Sequence, residues 1–168
     1  MIEIIKSLVD YHYWRSARLL ARAAGLASAE LYAPNAYPSG SLGGTFVHVM
    51  GADQVWTQRL QGASPTAFPT PEAFPDLDSI VTNWRGVETG LRSYVDGLTE
   101  AELKRVFTFR RIKGDVVEAV VWETLFHVAN HGMQHGAEIA QMLTELGRSP
   151  GDIDFIVFTR ERDARLKK

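Results

Sequence analysis

A chain of 168 residues, 45% apolar and 23% charged, has the composition of one globular domain and lies far from that of a disordered or membrane chain. Its formal net charge of −2 supplies no basic face to neutralise phosphates, which argues against a nucleic-acid partner. Cysteine is absent, so disulfides, thiolate metal sites and cysteine nucleophiles are excluded together, and any metal must be held by imidazole and oxygen.

From Ile4 to about Ala24, Ile5, Leu8, Val9, Leu19 and Leu20 recur at three- and four-residue steps, with Arg15, Arg18 and Arg22 on another face. This predicts a first amphipathic helix. A loop containing Pro34, Asn35, Pro38, Ser39 and Gly40 follows. Ser39 or Ser41 then caps a second helix that carries Phe46, Val47, His48, Val55, Trp56 and Leu60 and stops near Gly62. Pro65, Pro69, Pro71 and Pro75 make the next stretch a long surface connection, because proline continues neither a helix nor a sheet ladder.

Asp76 or Asp78 starts a third helix, whose stripe comprises Leu77, Ile80, Val81, Trp84, Val87, Leu91, Tyr94, Val95 and Leu98. Thr99 with Glu102 forms a capping-box pair for a short turn. Val106 to Ile112 alternates apolar and polar residues and ends at Lys113-Gly114-Asp115, which fits a short hairpin. A last long helix spans about Val117 to Leu146, with Gly147 as C-cap and Pro150 beyond. The tail from Asp152 holds the apolar run Phe155-Ile156-Val157-Phe158 and a basic end. The reading is all-α: one domain over residues 1–168, a four-helix bundle with long connections and a small irregular or hairpin segment before the last long helix. The start of the chain lacks a secretory signal, and no segment reaches about 18 uninterrupted apolar residues, so a cytoplasmic protein without membrane association is expected.

Three of the five histidines, His127, His131 and His135, stand at four-residue spacing on the last helix and share one face. Neighbours in such a series can converge on one ion. The outer pair stands about 12 Å apart and cannot, so a further ligand must come from another helix. His48 is the best candidate, since Gly51 and Ala52 on its face leave room for an ion and its water. Three neutral imidazoles with an open position are what a reactive zinc-type site requires. The alternative is that these are core histidines that only form hydrogen bonds. His127 reads as a packed residue or one behind the ligands. His12 can line the same cavity from the first helix, a capped or solvent-facing position being its ordinary alternative. The four tryptophans sit on helix stripes and read as core, and Arg105, Arg110, Arg111 and Lys113 as a solvated edge.

The run from Leu125 to His135, LFHVANHGMQH, resembles the signature of the DinB/YfiT-like family of four-helix-bundle proteins. Tyr11-His12-Tyr13-Trp14, His48 with Asp53 and Trp56, and the closing Gly147, Pro150 and Asp154-Phe155-Ile156 extend the resemblance over nearly the whole chain. It implies His48, His131 and His135 as ligands, with His127 and Asn130 behind them, nickel or zinc as the ion, and a homodimer. Some members resemble transferases that use small thiols. The resemblance thus implies a metal-dependent thiol transferase or hydrolase acting on a small molecule, in which a metal-bound water or thiol reacts and Glu138 and His12 are candidate helpers. A non-catalytic metal- or ligand-binding dimeric bundle is the alternative. One departure stands out: Gly136-Ala137-Glu138 replaces the Arg-Gly-Gln that usually follows the final histidine. Glu138 can therefore act as an acceptor behind a ligand, a general base or a fourth ligand, or as a surface ion-pair partner.

Overall fold

Four amphipathic stripes need one another to leave water, and the computed structural model, which describes residues 1–166, brings them together. The long helices are α1 (Ile2–Ala23), α3 (Leu42–Leu60), α4 (Leu77–Asp96) and α6 (Val121–Glu145). Short helices α2 (Ser28–Leu31) and α5 (Glu100–Leu103), strands β1 (Val106–Arg110) and β2 (Val116–Val120), and a closing helix α7 (Phe155–Leu166) complete the chain. Around the bundle α1 packs on α6 and α4, and α3 packs on α6 and α4, so α1 and α3 stand on opposite corners. Leu19, Phe46, Met50, Ile80, Leu91, Leu125 and Leu143 fill the centre. No helix among the described residues is long and apolar enough to cross a membrane.

The expected caps form where short polar side chains meet free helix amides. Ser41 accepts from the Gly44 amide at 2.9 Å, Asp76 from Ser79 at 2.8 Å, and Thr99 pairs reciprocally with Glu102. β1 and β2 pair antiparallel from Val106↔Val120 to Arg110↔Val116, and the alternation buries Phe107 and Phe109.

Two expectations are corrected, and two helices that the periodicity did not reveal are added. The last helix begins at Val121 and not Val117, because Val116, Val117 and Val120 are spent on the hairpin, where β-branched side chains pack well. Phe155–Leu166 is a helix, hidden in the sequence because its apolar residues are bunched at consecutive positions; Phe158 is buried against Tyr11 and Trp14. The loop after α1 contains the short helix α2. Arg15, expected on a polar face, is only 1% exposed.

Candidate metal centre

The histidine cluster sits where α3 meets α6. Val47, Val49 and Met50 are anchored in the core and leave the half-buried His48 at the edge of α3, facing α6. On α6, Leu125, Val128 and Ile139 fix the buried face, which carries His131 and His135 to the same junction one turn apart.

His48 Nε2 lies 3.1 Å from His131 Nε2, and the three ring centroids are 4.5 to 4.9 Å apart. One ligand atom from each of His48, His131 and His135 falls within 4.8 Å of the others. Two imidazoles on a tetrahedral ion, at about 2.0–2.1 Å each, hold their nitrogens about 3.3 Å apart. The His48–His131 pair already has nearly that separation.

The protonation pattern also suits a cation. His135 Nδ1 lies 2.7 Å from Glu138 Oε2, and a carboxylate only accepts, so Nδ1 carries the proton and the Nε2 lone pair is left free. The His131 pKa is pushed down to about 3, first by partial burial and then by His135, His48, His127 and His12. The His48 pKa is lowered by burial and His135, against a smaller opposing pull from Glu138. His48 and His131 are therefore neutral at neutral pH with lone pairs to donate. The buried Nδ1 of His131 has no hydrogen-bond partner among the described residues. The donor set fits a divalent ion with borderline-soft preferences.

The other expected site residues are placed as follows. His127 is exposed and leans edge-on against Trp56 at 5.4 Å, with its ring 5.7 Å from that of His131. Asn130 is exposed on the outer side of α6. Gly51 does not hold open space for an ion and its water: Phe68 occupies that notch, its ring so close that a Cβ on Gly51 would come within 2.6 Å of it. Phe68 thereby stands 5.7 Å from the His48 ring. A cavity of about 310 Å³ opens beside His48 and His135, whereas two larger cavities flanking α1 contain no histidine.

His12 neither caps a helix nor faces solvent, and it does not line the cluster. It is 1% exposed, and both of its ring nitrogens are engaged. Arg15 NH2 stands 3.1 Å from His12 Nδ1, and because arginine only donates, Nδ1 accepts and Nε2 carries the proton. Nε2 donates to Asp53 Oδ2 at 2.8 Å, and Trp84 Nε1 donates to the same oxygen at 2.8 Å. A neutral imidazole thus sits between a buried cation and a buried anion, tying α1 to α3 and α4. Gly132 and Gly136 admit this group: a Cβ at the first would meet the His12 ring at 2.3 Å, and at the second the Arg15 Nε at 2.8 Å. Sequence reasoning missed the network. Its only trace was a pair of glycines at helical spacing beside the histidines.

The DinB family model matches residues 1–165, and no curated protein matches the chain. A match over all but the last few residues, on a bundle that brings His48 to His131 and His135, leaves one conclusion: the chain belongs to the DinB family.

Proposed function

We propose that this protein holds one divalent metal ion, nickel or zinc, through His48, His131 and His135, and is a metal-dependent enzyme of the thiol-transferase or hydrolase type. The observation that carries the reading is the convergence of three imidazoles from two helices, two of which, His48 and His135, line a cavity. Such an ion acts as a Lewis acid that lowers the pKa of a thiol or water presented to it. The chain's own part is to keep His48 and His131 neutral by partial burial, to orient His135 through Glu138, and to bound the approach with Phe68. A homodimer is supported by the outer face of α6, where Phe126 is 50% and Met133 49% exposed.

The test is metal analysis of the purified protein and of His48→Ala, followed by thiol-transfer and ester-hydrolysis panels on the nickel- and zinc-loaded forms. Stoichiometric metal and a turnover that His48→Ala abolishes support the reading. Stoichiometric metal with no His48-dependent turnover leaves the alternative, a non-catalytic binding module. One observation favours that alternative: Glu138, the carboxylate that reaches the cluster, is already committed to His135.

A further inference from the structure

Two glycines of α6 each directly follow a histidine of the cluster, Gly132 after His131 and Gly136 after His135. Consecutive residues of an α-helix are turned by about 100°, and in a four-helix bundle the two neighbours of any helix lie about 90° apart around it. α6 packs on both α3 and α1. A helix that aims residues 131 and 135 at α3 therefore aims residues 132 and 136 at α1. At that junction α1 presents a buried polar pair, His12 and Arg15, each 1% exposed.

The pair lies directly on the α6 backbone. A Cβ on Gly132 would stand 2.3 Å from His12 Cε1 and Nδ1 and 2.8 Å from Arg15 Nη2, and one on Gly136 would stand 2.8 Å from Arg15 Nε. Neither side chain is free to yield. His12 is held at both ring nitrogens, by Arg15 at 3.1 Å and by Asp53 at 2.8 Å. Trp84 fixes Asp53 in turn, and the Arg15 guanidinium lies over the Tyr11 ring at 5.0 Å. Asp53 belongs to α3, the helix that carries His48. One connected group thus touches both helices of the cluster, although none of its three members lines the cavity beside the histidines.

Such a group is a poor source of stability. Well-packed apolar residues of similar volume often stabilise a core as much as a buried ionic group does, or more. Arg15 Nε and Nη1 and Asp53 Oδ1 are buried without a hydrogen-bond partner among the described residues, which adds to the cost. What directional polar contacts supply, and apolar packing does not, is one defined rotation and height of a helix against its neighbours.

We propose, on the reading that the cluster holds a metal ion, that His12, Arg15 and Asp53 are positioning residues for that centre. They set the rotation and height of α6 against α1 and α3, so that His131 and His135 meet His48. A helix that turns or slides to relieve a clash at position 132 or 136 carries with it the imidazole one residue earlier.

The test compares Co²⁺ binding by the full chain and by its Gly136→Ala, Arg15→Lys and Leu91→Ala variants, with affinity read from chelator competition and geometry from the visible ligand-field bands. Leu91 is buried in the core on α4 and forms no part of the group, so its truncation lowers stability without entering the junction. Gly136→Ala and Arg15→Lys are each expected to weaken Co²⁺ binding at least about tenfold and to shift the bands. Leu91→Ala, with an equal or larger drop in Tm, is expected to keep the wild-type affinity and bands. Arg15→Lys retains a cation but not the planar fork that meets His12, and it decides the matter alone if Gly136→Ala does not fold. Wild-type affinity and bands in Arg15→Lys, or the same change in Leu91→Ala as in the other two, overturns the proposal and leaves the group a fastening of the core. A wild-type chain that takes up no Co²⁺ overturns the metal reading itself, whatever the variants do, and this proposal with it.

Discussion

Glu138 lies on α6 one turn after His135, and its carboxylate accepts the Nδ1 proton of that ring at 2.7 Å. A single hydrogen bond thus fixes both the tautomer and the angle at which the final histidine meets its partners. Removing it by Glu138→Ala is expected to weaken metal affinity by about 10–100-fold, the usual cost of losing such an outer partner. Glu138→Gln keeps an acceptor oxygen and is expected to lose less. Chelator competition on both variants measures the difference, and unchanged affinity in the alanine variant would show that the carboxylate is a bystander.

Metal binding itself should be visible as stability. An ion present at about 100 times its dissociation constant adds about 2.7 kcal/mol to the folded state. Thermal melts with and without Ni²⁺ or Zn²⁺ are expected to show this as a rise in Tm that His48→Ala and His131→Ala each remove. If chelator and added metal leave Tm alike, the cluster is a set of hydrogen-bonded histidines.

Acid should act on the metal-free protein through the same residues. The His131 pKa lies at about 3 in the folded chain against about 6.5 for histidine in an unfolded one. A depressed folded value means that the stabilisation is complete above about pH 6.5 and is lost as pH falls toward 3. Chelated protein is therefore expected to lose stability across that window, and His131→Gln to lose it less steeply. Parallel slopes for the two proteins would rule out the linkage.

The buried Asp53–His12–Arg15 group calls for a different variant. Asp53→Ala strips the acceptor from His12 and Trp84 and leaves the Arg15 cation uncompensated in the core. Breaking a buried ionic group in this way costs about 3–5 kcal/mol. Urea unfolding should show a lower midpoint, and a loss under about 1 kcal/mol would mean that water already reaches the group.

Gly132→Ala tests the same junction sterically. The added methyl would sit 2.3 Å from the His12 ring, between a ligand helix and α1. Overpacking of this kind costs about 1–3 kcal/mol. The same denaturation measurement checks it, and pairing the variant with His12→Ala is expected to recover part of the loss.

The long helices, their caps and the hairpin were legible because each is a local matter. Ser41, Asp76 and Thr99 precede apolar periods, and Phe107 alternates with Thr108 whatever lies around them. The four-residue spacing of His131 and His135 likewise put two imidazoles on one side of α6 before any packing was known. Where local signals competed, the sequence misled. Val117 could extend a helix or a strand, and only a partner strand at Val106–Arg110 settled the matter. Arg15 and His12 look like surface residues, because a charge's partner on another helix, here Asp53, leaves no mark in the periodicity of its own helix.

By itself, then, the sequence determined four helices, two ligand-competent histidines and a candidate third, since periodicity and spacing are properties of a single segment. Tertiary structure decided that His48 meets the other two, that Phe68 fills the space beside Gly51, and that His12 lies in the core. Each of these is a distance between residues far apart along the chain, and such distances are set by how helices pack, which no single segment encodes.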